Sequence, residues 1–298
     1  MNPTVKNWCR PFLLITTCLF SLHAQASSGA LHDANSLRVL LDRVNTDYQM
    51  FKGENANPKY GDALEEDLEL LADARSDFLD RAAELDRSAA ADEIEANVER
   101  YINILSETYE ELSNGGFEAA VAAGDMIESK LAAQKAITTL YLSIAETSKV
   151  DPRVIEYQIM SYEMQQIAAK YLENAAATYG VAYRDQSDEK TIDQLAQEFA
   201  LRLDGLNLKA ADLPPGVKVE LADVKRKWSF IQQSLLNYME NQVSFLVYLY
   251  SRKIVDGLLS ASEHLALATG GDTTTGAPTI APPADSGIQL PPGIPAAQ

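Results

Sequence analysis

Cysteine is nearly missing from this chain. Cys9 and Cys18 are the two it has, and both lie near the N-terminus. A body without thiols excludes disulfide staples, thiolate metal sites and a cysteine nucleophile. Histidine is almost as scarce: His23, His32 and His264 are the three, spread between opposite ends of the chain. There is no H-E-x-x-H helix, no D-x-D-x-D-G calcium loop, no G-x-S-x-G elbow and no phosphate-cradling glycine loop. Strand-like alternation never persists beyond a few residues. Basic residues are outnumbered, 25 Lys and Arg against 43 Asp and Glu, for a formal charge of −18. Such a surface repels nucleic acid and anionic lipid. Together these absences lead us to expect no enzyme, no cofactor, no metal and no nucleic-acid partner.

Apolar runs are short as well. The longest, Phe12 to Leu22, falls below the roughly 20 residues that span a bilayer. It follows Lys6 and Arg10 and precedes Ala24-Gln25-Ala26, the layout of a secretory signal with an A-x-A cleavage site. Residues 1–26 are therefore expected to be a signal peptide, and the protein to be periplasmic or secreted, with no stable membrane span after cleavage. An uncleaved anchor is the alternative use of the same run. At the other end, Gly270-Gly271 opens a stretch carrying Pro278, Pro282, Pro283, Pro291, Pro292 and Pro295. That composition buries too little apolar surface to offset ordering entropy, so 268–298 reads as a disordered tail.

What remains is helical in period. Leu64, Leu68, Leu71 and Phe78 recur at three- to seven-residue steps; so do Ile94, Val98, Tyr101 and Leu105, and Val247, Ile254, Leu258 and Leu265. The spacing predicts helices over 31–52, 60–88, 91–113, 117–148, 152–179, 189–204 and 219–266. Asn57-Pro58 and Asp151-Pro152 place a capping side chain before a proline at the first helical position. Gly115-Gly116 ends a helix, Ser187-Asp188 caps another, and Leu213-Pro214-Pro215-Gly216 is a sharp connector. Acidic runs such as Glu65-Glu66-Asp67 read as solvated helix faces, and Trp228 as a core anchor. The two halves repeat an order: an amphipathic helix (34–51 and 152–179), a charged one (62–87 and 220–239), then a tyrosine-bearing one (94–112 and 243–265). The expected fold is all-α: two tandem four-helix-like, up-and-down bundles, 27–148 and 149–267.

One stretch resembles a known module. Gln158-Ile159-Met160-Ser161-Tyr162-Glu163-Met164, continuing through Ile167-Ala168-Ala169-Lys170-Tyr171, is similar to the first helix of the PilJ-type domain. That domain is the N-terminal sensing region of type IV pilus methyl-accepting chemotaxis transducers, and it is related to the NarX-like nitrate and nitrite sensors. Leu221-Ala222-Asp223-Val224-Lys225-Arg226-Lys227-Trp228 resembles a later helix of the same family. The resemblance covers about 150–265, with 31–148 as a degenerate repeat. It implies a sensor-like bundle whose pocket lies between the first helices of two subunits. Either a homodimer or a tandem chain imitating one would serve.

The family pattern places two arginines on that helix, because a guanidinium offers a charged planar fork to an anion. Here Gln158 and Glu163 stand in their places, and a carboxylate repels nitrate. The first half carries Arg38 and Arg43 instead, five residues apart and so about 140° apart around the axis. The simplest account of these two is solvated arginines paired with Asp42 or Asp47. As a site, Arg38, Arg43, Gln158, Ser161, Tyr162 and Glu163 would form a pocket between two helices, suited to a zwitterion, a small polar solute or an anion. Ser161 is otherwise a helix-packing hydroxyl. The expected function is a sensor-like binding or interaction module without a signalling domain of its own, taking a small solute or an envelope protein partner. The alternative is a structural envelope- or pilus-associated scaffold, whose seam would be filled by Val39, Leu40 and Ile159.

Overall fold

The computed structural model describes residues 12–84, 87–177, 190–208, 212–240 and 243–270. The start of the expected signal, the cap at Ser187-Asp188 and the tail beyond 270 lie outside the described residues. Eight helices are seen among those described: α1 (Phe12–Gly53), α2 (Pro58–Glu84), α3 (Ser88–Ser113), α4 (Ala120–Thr147), α5 (Pro152–Ala176), α6 (Ile192–Leu208), α7 (Pro215–Leu236) and α8 (Ser244–Ala268). The fold is an all-α helical bundle with no strand among the described residues. No helix there is long and apolar enough to cross a membrane.

The helix ends follow local chemistry. Asp151 caps α5, its carboxylate accepting from the Arg153 amide at 2.8 Å with Pro152 in the first turn. Asn57 accepts from the Lys59 amide at 3.1 Å at the head of α2. After α3, Gly115 takes φ +79°, the left-handed conformation glycine adopts without steric cost. Two expectations are corrected. The first helix begins at Phe12, not near 31, and its backbone runs unbroken through Ala24-Gln25-Ala26, a stretch without proline. The stretch 219–266 is two helices. Asn237 ends α7, its N–H bonded to the Gln233 carbonyl at 3.0 Å, and a turn intervenes before Ser244.

Helices α1 to α4 enclose one core, with Leu37, Leu41, Leu71, Val98, Tyr101 and Ile137 at its centre. Helices α5 to α8 enclose another around Met160, Met164, Phe199, Leu221, Trp228 and Leu258. Trp228 is the anchor its sequence position promised, its ring 4.7 Å from that of Phe199. The two bundles are fused. Helix α1 packs on α2 and α4 on one side and on α5 on the other, and its Val39, Met50 and Phe51 belong to the second core.

From Leu37 to Phe51 every residue of α1 is buried. The amphipathic helix expected over 34–51 is therefore buried all round. Yet this span carries Arg38, Asp42, Arg43, Asn45, Thr46, Asp47 and Gln49. Burying such groups costs several kcal/mol unless partners satisfy them. Where those partners stand defines the functional geometry.

Candidate functional site

Arg38 leaves α1 toward α4 and α5. It is 1% exposed, so it is not a solvated arginine. Its Nε and Nη2 donate to Asn35 Oδ1 at 3.0 and 2.8 Å. Its guanidinium carbon lies 3.8 Å from the Tyr141 ring centre and 4.5 Å from that of Tyr162. Desolvation at a tyrosine face makes a cation–π contact worth about 2 kcal/mol. Among the described residues no carboxylate lies within salt-bridge distance of it. Burial pulls the Arg38 guanidinium below its ordinary range, while Tyr141 and Tyr162 oppose that shift. Burial also pushes the Tyr141 hydroxyl up to about 12.

Four of the expected site residues meet here. Tyr141 donates to Gln158 Oε1 at 2.9 Å, Asn35 Nδ2 approaches Ser161 Oγ at 3.4 Å, and Tyr162 stacks on Arg38. Ser161 donates to the Gln158 carbonyl at 2.8 Å, as a helix-packing hydroxyl does. Val39 and Leu40 are buried in the two different cores and Ile159 packs against the first, so apolar side chains flank a seam whose middle is polar.

The other two leave this group. Arg43 is 2% exposed, and it pairs with neither Asp42 nor Asp47. It pairs with Asp67 of α2 at 3.0 Å and Asp256 of α8 at 3.2 Å. Arg252 joins them, 2.6 Å from Asp47 and 2.8 Å from Asp67, and the Tyr248 hydroxyl donates to Asp47 at 2.7 Å. This ionic cluster ties α1, α2 and α8 together. Asp67 was expected on a solvated face and is buried instead. Nothing in its acidic run distinguishes it; only its phase on α2, with Leu64 and Leu71 three and four residues away, marks the inward side. Glu163 faces α6, where it pairs with Arg202, about a third exposed. Burial pushes its carboxyl up, against Arg202.

Beside the Arg38 seam the polar row opens to solvent. A cleft of about 250 Å³ lies between α1, α4, α5 and the head of α6, lined among others by Asp42, Lys130, Gln134, Gln166, Lys170 and Glu173. The residues from α4 are four apart, and those from α5 fall at three-, four- and seven-residue steps, so each helix presents one face. Lys130, buried, approaches Glu173 at 2.5 Å and Asp42 at 3.7 Å. Asn45 donates to the same Glu173 oxygen at 2.8 Å. Gln166 connects cleft and seam, since its amide donates to the Tyr162 hydroxyl at 2.9 Å. Gln134 is 7% exposed, lines the cleft, and makes no side-chain hydrogen bond to any described residue.

Lys130, Gln134 and Glu173 were not anticipated. The signal available was Asp42, one helical turn past Arg38 and pointing along the same side. No cluster of three His, Cys, Asp or Glu residues able to hold a metal ion occurs among the described residues. No protein-family model, curated protein or solved structure matches the chain.

Proposed function

We propose that the chain is a binding module for a small polar solute, with the cleft beside Lys130 and Gln134 as its site. The observation that carries this reading is Gln134. Its amide lines the open cleft and hydrogen-bonds to no described residue, which leaves its donor and acceptor to water or to a solute there. The polar α1–α5 seam supports the same reading, because a pure scaffold gains more from an apolar seam there. The sensor-like character follows the resemblance of α5 to the PilJ-type helix, with the site moved about two to three turns along from the family's arginines. Arg38 then holds the wall of the cleft through Tyr162 and Gln166.

Export belongs to the same proposal. The basic start, short apolar run and Ala24-Gln25-Ala26 support removal of 1–26 and a periplasmic or secreted module. Intact-mass measurement of protein recovered from the periplasm of an expressing bacterium tests this; a chain that still carries 1–26 refutes it.

Binding is tested by thermal-shift and calorimetric titration of the purified protein against nitrate, nitrite, amino acids, polyamines and small sugars. A saturable shift that Gln134→Leu removes is expected. Silence across the panel returns the protein to the rival class, a helical scaffold, for which a pull-down from envelope extract is the next measurement.

A further inference from the structure

We propose that Asp47 and Asp67 hold one buried proton between them, and that this acid pair is a pH-sensitive latch fastening α8 to α1 and α2. The latch is separate from the cleft and does not depend on a solute. Asp47 is fully buried and Asp67 is 1% exposed. Asp47 Oδ1 and Asp67 Oδ2 meet at a single nitrogen, Arg252 Nη1, at 2.6 and 2.8 Å. Two carboxylates held so close in a dry site resist ionising together, and one proton between them relieves the repulsion.

Counting donors places the proton. Asp47 Oδ1 accepts from both Tyr248 and Arg252. Asp47 Oδ2 is buried and accepts from no described residue. An ionised carboxylate can only accept, so that oxygen would be stranded at a cost of about 1–3 kcal/mol. As a hydroxyl it donates instead, and Asp67, its hydrogen-bonded neighbour, is the acceptor. Asp67 is the better anion of the two, because Arg43 reaches it at 3.0 Å as well as Arg252.

The charges agree. Asp47, Asp67 and Asp256 face Arg43 and Arg252, three carboxylates to two guanidiniums. The other ionisable groups turned toward them add no cation to Asp47 or Asp67. Tyr101 of α3 and Tyr248 of α8 are phenols that burial keeps protonated. Lys227 of α7 acts on Asp256 but pairs with Asp223. Burial likewise raises the Asp47 carboxyl above its ordinary value. Tyr248, Arg252 and Asp256 stand at four-residue steps on one face of α8, so the cluster grips that helix along about two turns. When α8 separates, the proton is released wherever the pH lies between the ordinary carboxylate value near 4 and the raised one. Across that interval opening becomes up to about tenfold easier per pH unit.

Infrared spectroscopy and hydrogen exchange on the full-length protein test this. At neutral pH the parent is expected to show the carbonyl band of a protonated carboxyl, and Asp47→Asn to lose it. Tyr248→Phe removes a donor from Asp47, so there the band should persist to higher pH than in the parent. Amide protection in α8, corrected for the chemical exchange rate, is expected to fall from about pH 6 to about pH 8, by up to about tenfold per unit. In Asp47→Asn that fall should be at least about threefold shallower. Circular dichroism checks that both variants keep their helices, and Tyr248→Phe carries the test by itself should Asp47→Asn not fold. No acid band in the parent at neutral pH, or a band that neither variant moves, refutes the shared proton. A band that Asp47→Asn removes while the pH dependence of α8 protection stays the same refutes the latch.

Discussion

Arg252 on α8 places its Nη1 2.6 Å from Asp47 on α1 and 2.8 Å from Asp67 on α2. One guanidinium thus pins a helix of the second bundle to two helices of the first. The two carboxylates that share it are not equivalent. Burial pushes Asp47 up, and the negative charge of Asp67 adds to it, against Arg252. Burial acts on Asp67 too, but a hydrogen bond with Asp47 and the charges of Arg252 and Arg43 outweigh it and hold that carboxyl below its ordinary value.

The first prediction follows from that asymmetry. Asp67→Asn leaves Arg43 and Arg252 short of their ionised partner and should cost about 3 kcal/mol or more. Asp47→Asn keeps an acceptor for Tyr248 and Arg252 and should cost about 1 kcal/mol at neutral pH. Urea denaturation of both variants checks the order; equal losses would refute the assignment of the charge to Asp67.

The second concerns pH. Burial raises the carboxyls of Asp33, Asp47, Glu163 and Asp256 above their unfolded values. Such groups bind more protons folded than unfolded, so stability increases as pH falls through their folded values toward the ordinary range near 4. Asp67, Asp151 and Asp223 are lowered: Asp67 by its hydrogen bond with Asp47 and then the charges of Arg252 and Arg43, which together outweigh burial, Asp151 chiefly by its hydrogen bond with Arg153, and Asp223 by Lys227 and Arg226 against burial. Their contribution is present above the ordinary carboxylate value and is lost as pH falls through their lower folded ones. The melting temperature should therefore rise as the pH is lowered from neutral toward the ordinary carboxylate range near 4, and fall once the pH drops below that range. Asp47→Asn should flatten the rise. A melting temperature that declines steadily from pH 8 downward contradicts this.

The third concerns Arg38. Arg38→Ala removes a buried side chain from between two tyrosine rings and strands the Asn35 acceptor, at a cost of about 2–4 kcal/mol. Arg38→Lys keeps the charge and loses the two-point contact with Asn35 and the stacking, so it should cost about half as much. Chemical denaturation gives the comparison. A neutral outcome for Arg38→Ala would mean that the stack is not formed in solution.

The fourth tests the close approach of α7 and α8. A Cβ on Gly257 would stand 2.7 Å from Cγ2 of Val224, and Val224 is fully buried on a helix where its rotamer is stiff. Gly257→Ala, which stabilises an ordinary helix by about 1 kcal/mol, should here destabilise by about 1–3 kcal/mol. Adding Val224→Ala should recover part of the loss. Thermal melts of the single and double variants decide it.

Much of the fold is legible in the sequence. Helical period alone gave the all-α fold, and Asn57-Pro58, Asp151-Pro152 and Gly115-Gly116 marked ends that the helices respect. The residues around Arg38 were also legible as a group, because Gln158, Ser161 and Tyr162 lie on α5 within little more than one turn. Arg43 and Glu163 were legible only as candidates. Each has a strong partner on a distant helix, Asp256 and Arg202, that spacing along the chain does not reveal.

The sequence by itself determined the helices, their caps and the apolar stripes, since these depend on residues within a few positions of one another. Only the tertiary structure decided that α1 is buried on every side, because that requires α2, α4, α5 and α8 to close around it. This closure turned solvated-looking charges into a buried ionic cluster, gave Arg38 two tyrosine faces with no carboxylate among the described residues, and left Gln134 beside a polar cleft with no hydrogen-bond partner among them. The desolvation that gives these groups their chemistry is a property of the assembled bundles, which no single helix carries.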